Sequence, residues 1–142
     1  MNRRDILIGG AALAGAALSA AAMAGEHDHH QHGAASSLAT ALADCIQKGQ
    51  VCQSHCLDLF AEGEKSMAAC AKSVNQMLTL CAALQQLANQ QSQHTAKLAG
   101  LALQACRECE EECKKHADKH EACKACGESC KACAKECEKI AA

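Results

Sequence analysis

CRECEEECKKHADKHEACKACGESCKACAKEC, residues 106–137, carries eight cysteines, and apart from the gap between Cys113 and Cys123 they step by three or four. That stride is the stride of an α-helix, so Cys106, Cys109 and Cys113 share one helix face, and Cys123, Cys126, Cys130, Cys133 and Cys137 share another. The intervening positions are mostly Lys, Glu and Ala, which suit a solvated helix surface. Two helices that present thiols where leucines would ordinarily pack are built to hold something between them, and a thiophilic metal ion is the candidate.

Working outward, the same period continues upstream. The chain has no proline and one aromatic residue, Phe60, and it is rich in Ala, Leu, Gln, Lys and Glu, so strands are disfavoured and helices favoured. A first helix is expected from Ser36 or Ser37 to Glu62, stopped by Gly63, and a second from Lys65 or Ser66 to Asn89. A third is expected from Ser92 to Ala117 and a fourth from His120 to Ile140. Short connections between helices of this length predict an all-α, antiparallel up-down-up-down four-helix bundle with a cysteine-lined core. The inward rows are Leu38, Leu42, Cys45, Cys52, Cys56 and Leu59; Met67, Cys70, Val74, Met77, Cys81 and Leu84; Leu98, Ala102, Cys106, Cys109, Cys113 and His116; and Cys123, Cys126, Cys130, Cys133, Cys137 and Ile140. All thirteen cysteines fall on them.

Antiparallel packing grades these thiols along the bundle. At ~1.5 Å per residue, Cys56, Cys70, Cys113 and Cys123 lie within roughly 10 Å of the end bearing the first and third turns, and Cys45, Cys81 and Cys137 lie deepest, at roughly 25 Å. Leu38, Leu42, Leu84, Leu87, Leu98 and Ile140 would close the far end. His55, Met67, His116 and His120 are expected to cluster near the thiol-rich mouth, with His55 and Met67 as additional ligands. Met77 reads as core filling, and His94, His116 and His120 as surface residues.

The amino terminus adds a compartment. Arg3-Arg4 before a run of Ala, Gly and Leu looks like a twin-arginine export signal over residues 1–24, with Ala22-Met23-Ala24 as a cleavage site and the neighbourhood of Ala20 as a second. The destination would be the periplasm or an internal membrane lumen. Residues 25–35, including His27, His29, His30 and His32, read as a flexible tail able to bind metal, and residues 36–142 as the bundle. Removing the leader leaves twelve basic and fifteen acidic residues, a balance that argues against nucleic acid as a partner.

Export makes disulfides the default for many cysteines. Here the number is odd, the cysteines lie in Pro-free helical patterns rather than loops, and neighbours on one helix face have poor geometry for bridging. Among metals, structural zinc takes four ligands from paired knuckles, and iron–sulfur clusters favour short loops. Cu(I) is soft and accepts thiolate and thioether. The pairs Cys52/Cys56, Cys109/Cys113, Cys126/Cys130 and Cys133/Cys137 can each hold an ion between helical turns. If each ion takes two thiolates and each thiolate bridges two ions, capacity approaches roughly one ion per cysteine. A zinc or general thiophilic-metal buffer is the alternative.

With the arginine pair, four helices, thirteen cysteines, Cys52-x-x-x-Cys56 and the stacked pairs on helices three and four, the chain resembles the exported copper storage proteins of methane-oxidising bacteria. The resemblance implies a homotetramer of four-helix bundles, each filled with about as many Cu(I) ions as cysteines, that holds copper for the membrane-bound, copper-dependent methane monooxygenase. It also implies a histidine and a methionine beside the thiolates near the open end, matched by His55 and Met67. No enzyme is expected. Thiol–disulfide exchange needs an exposed pair rather than thirteen inward thiols, and no Gly-rich phosphate loop points to an organic cofactor. Glu110, Glu111 and Glu112 read as a solvated face paired with Lys114 and Lys115.

Overall fold

The computed structural model describes the chain from residue 30 onward, with side chains from Ser37; the expected leader and residues 25–29 of the tail lie outside the described residues. Four helices follow in order: α1 His30–Ala61, α2 Ala68–Asn89, α3 Thr95–Lys114 and α4 Glu121–Ile140. Each packs against two others, α1 on α2 and α4, and α3 on α2 and α4, so the four form a square bundle.

α1 begins earlier than Ser36 or Ser37, so residues 30–35, read as tail from the sequence, form its first turns. No proline interrupts them, Ala34 and Ala35 favour helix, and the single Gly33 costs only about 1 kcal/mol relative to alanine. α2 and α4 end at Asn89 and Ile140 as expected, α1 stops and α4 starts within one residue of expectation, and α2 and α3 begin two to three residues late, with α3 also ending three early. Ser92, for example, accepts the His94 backbone N–H on its Oγ in the α2–α3 turn, and α3 begins only at Thr95. Gly63 ends α1 with a φ of 87°, a left-handed conformation that glycine adopts without strain, and its N–H bonds back to the Phe60 carbonyl at 3.0 Å.

Register between the helices is read from cross-bundle contacts. Cys45 faces Cys130 and Cys52 faces Cys123, so a step forward along α1 is a step back along α4. Cys70 with Cys113 and Cys81 with Cys106 show the same reversal between α2 and α3. The connections at 62–67 and 115–120 therefore share one end. The α2–α3 turn, the start of α1 and the C-terminus share the other, where the Ala142 N–H meets the Ala96 carbonyl and Ser37 Oγ donates to Glu136 at 2.7 Å. At this second end Leu38, Leu42 and Leu84 are buried, Leu98 and Ile140 are partly buried against them, and Leu87 is half-exposed. The apolar plug is present, with Leu87 at its edge.

The outer faces are charged. Lys114 pairs with Glu110 and Glu111, Lys115 with Glu112, and Arg107 bridges α3 to Glu138 on α4 at 2.8 Å. Such exposed pairs contribute about 0–1 kcal/mol each, so they keep the faces wet rather than hold the bundle together. Burial of the inner rows does that.

Candidate metal centre

Every one of the thirteen cysteines is fully buried, and all are free thiols. Their sulfurs meet at 3.6–4.0 Å, contact distance for thiols and nearly twice the ~2.05 Å of a disulfide. The helical period accounts for burial, since each cysteine occupies a position facing the bundle axis. The antiparallel register accounts for the contacts between helices.

Four groups gather closely enough to share an ion, their sulfurs all lying within 4.8 Å of one another. Toward the mouth stand Cys52, Cys56 and Cys70; next come Cys52, Cys113 and Cys126; then Cys109, Cys126 and Cys130. Nearest the leucine plug is a four-thiol group of Cys45, Cys81, Cys106 and Cys133. The groups are not isolated. Cys52 and Cys126 each belong to two, and Cys45 lies 3.8 Å from Cys130. Cys123 joins through Cys52 at 3.8 Å and Cys137 through Cys133 at 4.0 Å. All thirteen sulfurs thus form one connected path down the bundle. Cys45, Cys81 and Cys137, expected deepest, are buried, the first two in one group and the third tied to it.

Within this path protons are unequally held. Hydrogen bonds from Cys106, Cys130, Cys133 and Cys81 hold the Cys45 thiol below the ordinary range. Cys70 is lowered by Cys113, Cys123 and Cys52, and Cys126 by Cys109, Cys113, Cys130 and Cys52. Each close group therefore contains one sulfur favoured to ionise, with neighbours donating to it. Two of their partners move the other way: Cys130 is raised by Cys106 and Cys109, and Cys113 by Cys109 and Cys126. Burial pushes the Cys56 thiol up to about 11, with negative charge on Cys70 adding to the effect. A soft cation that replaces these protons relieves both the burial of charge and the crowding of like charges.

The mouth holds nitrogen donors as well. His55, half-buried, places Nε2 2.9 Å from Nδ1 of His120, and the His116 ring lies 6.5 Å from that of His120. His120, expected near the mouth as a surface residue, thus stands there with its ring against that of His55. The turn before α4 folds it onto α1; antiparallel order put it at the mouth, and the contact with His55 came only from the fold. Met67 is fully buried at the start of α2, one turn before Cys70. Met77 is buried as expected, but its sulfur is turned to within 3.4 Å of Cys45 Sγ. Its place one turn before Cys81 was the available signal.

No curated protein sequence matches the chain. Solved structures do. It is similar to apo-Csp3, copper storage protein 3 of Bacillus subtilis, with 25% identity and a TM-score of 0.67 over 76% of this chain and 99% of that one. The Cu(I)-bound form of the Bacillus subtilis protein is similar at 25% identity and a TM-score of 0.68, over 77% and 99% of the two chains. The copper storage protein Ccsp of Streptomyces lividans, loaded with 10 copper equivalents, shares the fold at 20% identity and a TM-score of 0.71, over 80% and 87%. Residues 29–142, which span the whole thiol path, match the family of copper storage proteins (Csp), and the chain belongs to that family.

Proposed function

We propose that this protein stores Cu(I), many ions to a bundle, on thiolates in its interior. The observation that carries the reading is the single connected path of thirteen buried, unbridged thiols with shared members. Sulfurs common to two groups suit a cation that accepts two or three soft ligands and tolerates bridging. Zinc, which takes four thiolates in a closed tetrahedral site, suits one group among the described residues, that of Cys45, Cys81, Cys106 and Cys133. Storage also fits the burial of every thiol, because thiol–disulfide exchange would require an accessible pair. His55 and Met67, at the end opposite the plug, would take ions first and pass them inward, with His120 beside His55.

Anaerobic titration of the reduced protein with Cu(I), and separately with zinc, against a strong competing chelator tests this. Retention of roughly one Cu(I) per cysteine supports storage. Saturation near three zinc ions with weak copper retention would defeat it.

The paired Arg3-Arg4 leader supports export by the twin-arginine route to the periplasm or an internal membrane lumen, where the protein would act as a homotetramer and hold copper for a membrane-bound methane monooxygenase. Cell fractionation checks the route: Arg3→Lys/Arg4→Lys is expected to leave the protein in the cytoplasm. Sedimentation checks the tetramer, and copper transfer to the copper-free monooxygenase checks the recipient.

A further inference from the structure

Met77 stands on α2 one turn before Cys81, fully buried, with its sulfur 3.4 Å from the sulfur of Cys45. A buried methionine ordinarily fills a gap, and nothing then requires its sulfur rather than its methyl group to face a thiol. Here α1 decides the orientation. Gly49 lies one turn after Cys45 on that helix and is buried. A Cβ added at Gly49 would come within 2.6 Å of Met77 Cε and 2.9 Å of Leu78 Cδ2. The methyl terminus of Met77 thus occupies space that only a glycine leaves open. With the methyl lodged there, the thioether is directed at Cys45. Glycine is a poor helix former, so its presence in mid-helix marks this close approach.

Cys45 belongs to the four-thiol group at the plugged end and also touches Cys130. We propose that the Met77 thioether is a copper ligand at that end, completing the coordination of the ion held by Cys45. This rests on the storage reading and adds to it a mixed thiolate–thioether site at the deepest part of the path. Thioether sulfur is a natural Cu(I) donor. Charge gives a further reason. Each thiolate carries a negative charge into a region where no lysine, arginine or histidine is buried among the described residues. A thioether supplies a donor without one, so an ion can gain a ligand at no cost in uncompensated buried charge.

Selenium absorption spectroscopy tests the bond directly. Selenomethionine-labelled protein carrying Met67→Leu is loaded with Cu(I) and compared with Met67→Leu/Met77→Leu, so that the difference reports Met77. A selenium–copper vector at bonding distance in the first and not the second is expected. The same comparison between unaltered protein and Met77→Leu, read as a fall in that signal, gives the test without touching Met67. Met77→Leu conserves volume, a change cores tolerate well, and is expected to keep its helix content while yielding about one copper equivalent to a chelator that the unaltered protein withstands. A fully loaded protein whose selenium at Met77 has only carbon neighbours overturns the assignment and leaves storage standing. A protein that takes up no Cu(I) overturns both.

Discussion

Cys56 shows how one residue ties stability to pH. An unfolded thiol ionises near its ordinary pKa of 9.0, whereas burial and the nearby Cys70 hold the folded Cys56 proton up to about 11. Between those values the unfolded chain binds fewer protons than the folded one, so the stability from this group is whole below pH 9.0 and lost as pH rises through about 11. Melting of the reduced, metal-free protein followed by circular dichroism is expected to show this alkaline loss, and Cys56→Ala to show less of it. In the copper-loaded protein the thiol protons are already gone, and the loss should vanish. Gly49 makes a second prediction at this scale. Valine there would meet Met77 and Leu78. Overpacking of this kind costs about 1–3 kcal/mol, and Gly49→Val should lower metal-free stability by that order in denaturant unfolding.

Among the elements, α4 carries the chemistry in most concentrated form. Five of its cysteines face the axis, while Lys124, Lys131 and Lys135 stay exposed on the opposite side. The thiols of one helix are not equivalent, because their partners belong to other helices. Cys126 reaches groups with both Cys52 and Cys113 of one kind and Cys109 and Cys130 of another, whereas Cys56 belongs to one group only. Under the storage reading, Cys126→Ala should therefore remove about two chelator-resistant Cu(I) ions and Cys56→Ala about one. Counting retained copper per protein in both variants checks it. Helical period made the five cysteines of α4 legible as one buried face. Which of them is shared between groups depends on the neighbours' register, and no local pattern encodes that.

For the molecule as a whole, helix packing itself holds the thiol path together: sulfurs of different helices touch at 3.6–4.0 Å. Loading should then leave helicity nearly unchanged while raising the melting temperature with copper concentration, since a ligand that binds only the folded state stabilises it by mass action. Far-ultraviolet circular dichroism and thermal melts at stepped copper loading measure both. A large gain of helix on loading would mean that copper organises the bundle instead of filling it.

The sequence alone determined four helices, their antiparallel order, the burial of all thirteen cysteines and the leucine-closed end, because these follow from a 3.6-residue period and short connections. The start of α1 at His30 escaped it, since plausible serine caps do not stop a helix that alanines can extend. Tertiary structure alone decided that His120 meets His55, that Cys52 and Cys126 are shared, and that the sulfur of Met77 faces Cys45 across the niche at Gly49. Each of these arrangements brings together residues of different helices or, for His120, of the turn before α4. Their existence depends on axial register and on the rotamers that close packing permits, two quantities that helical periodicity leaves open.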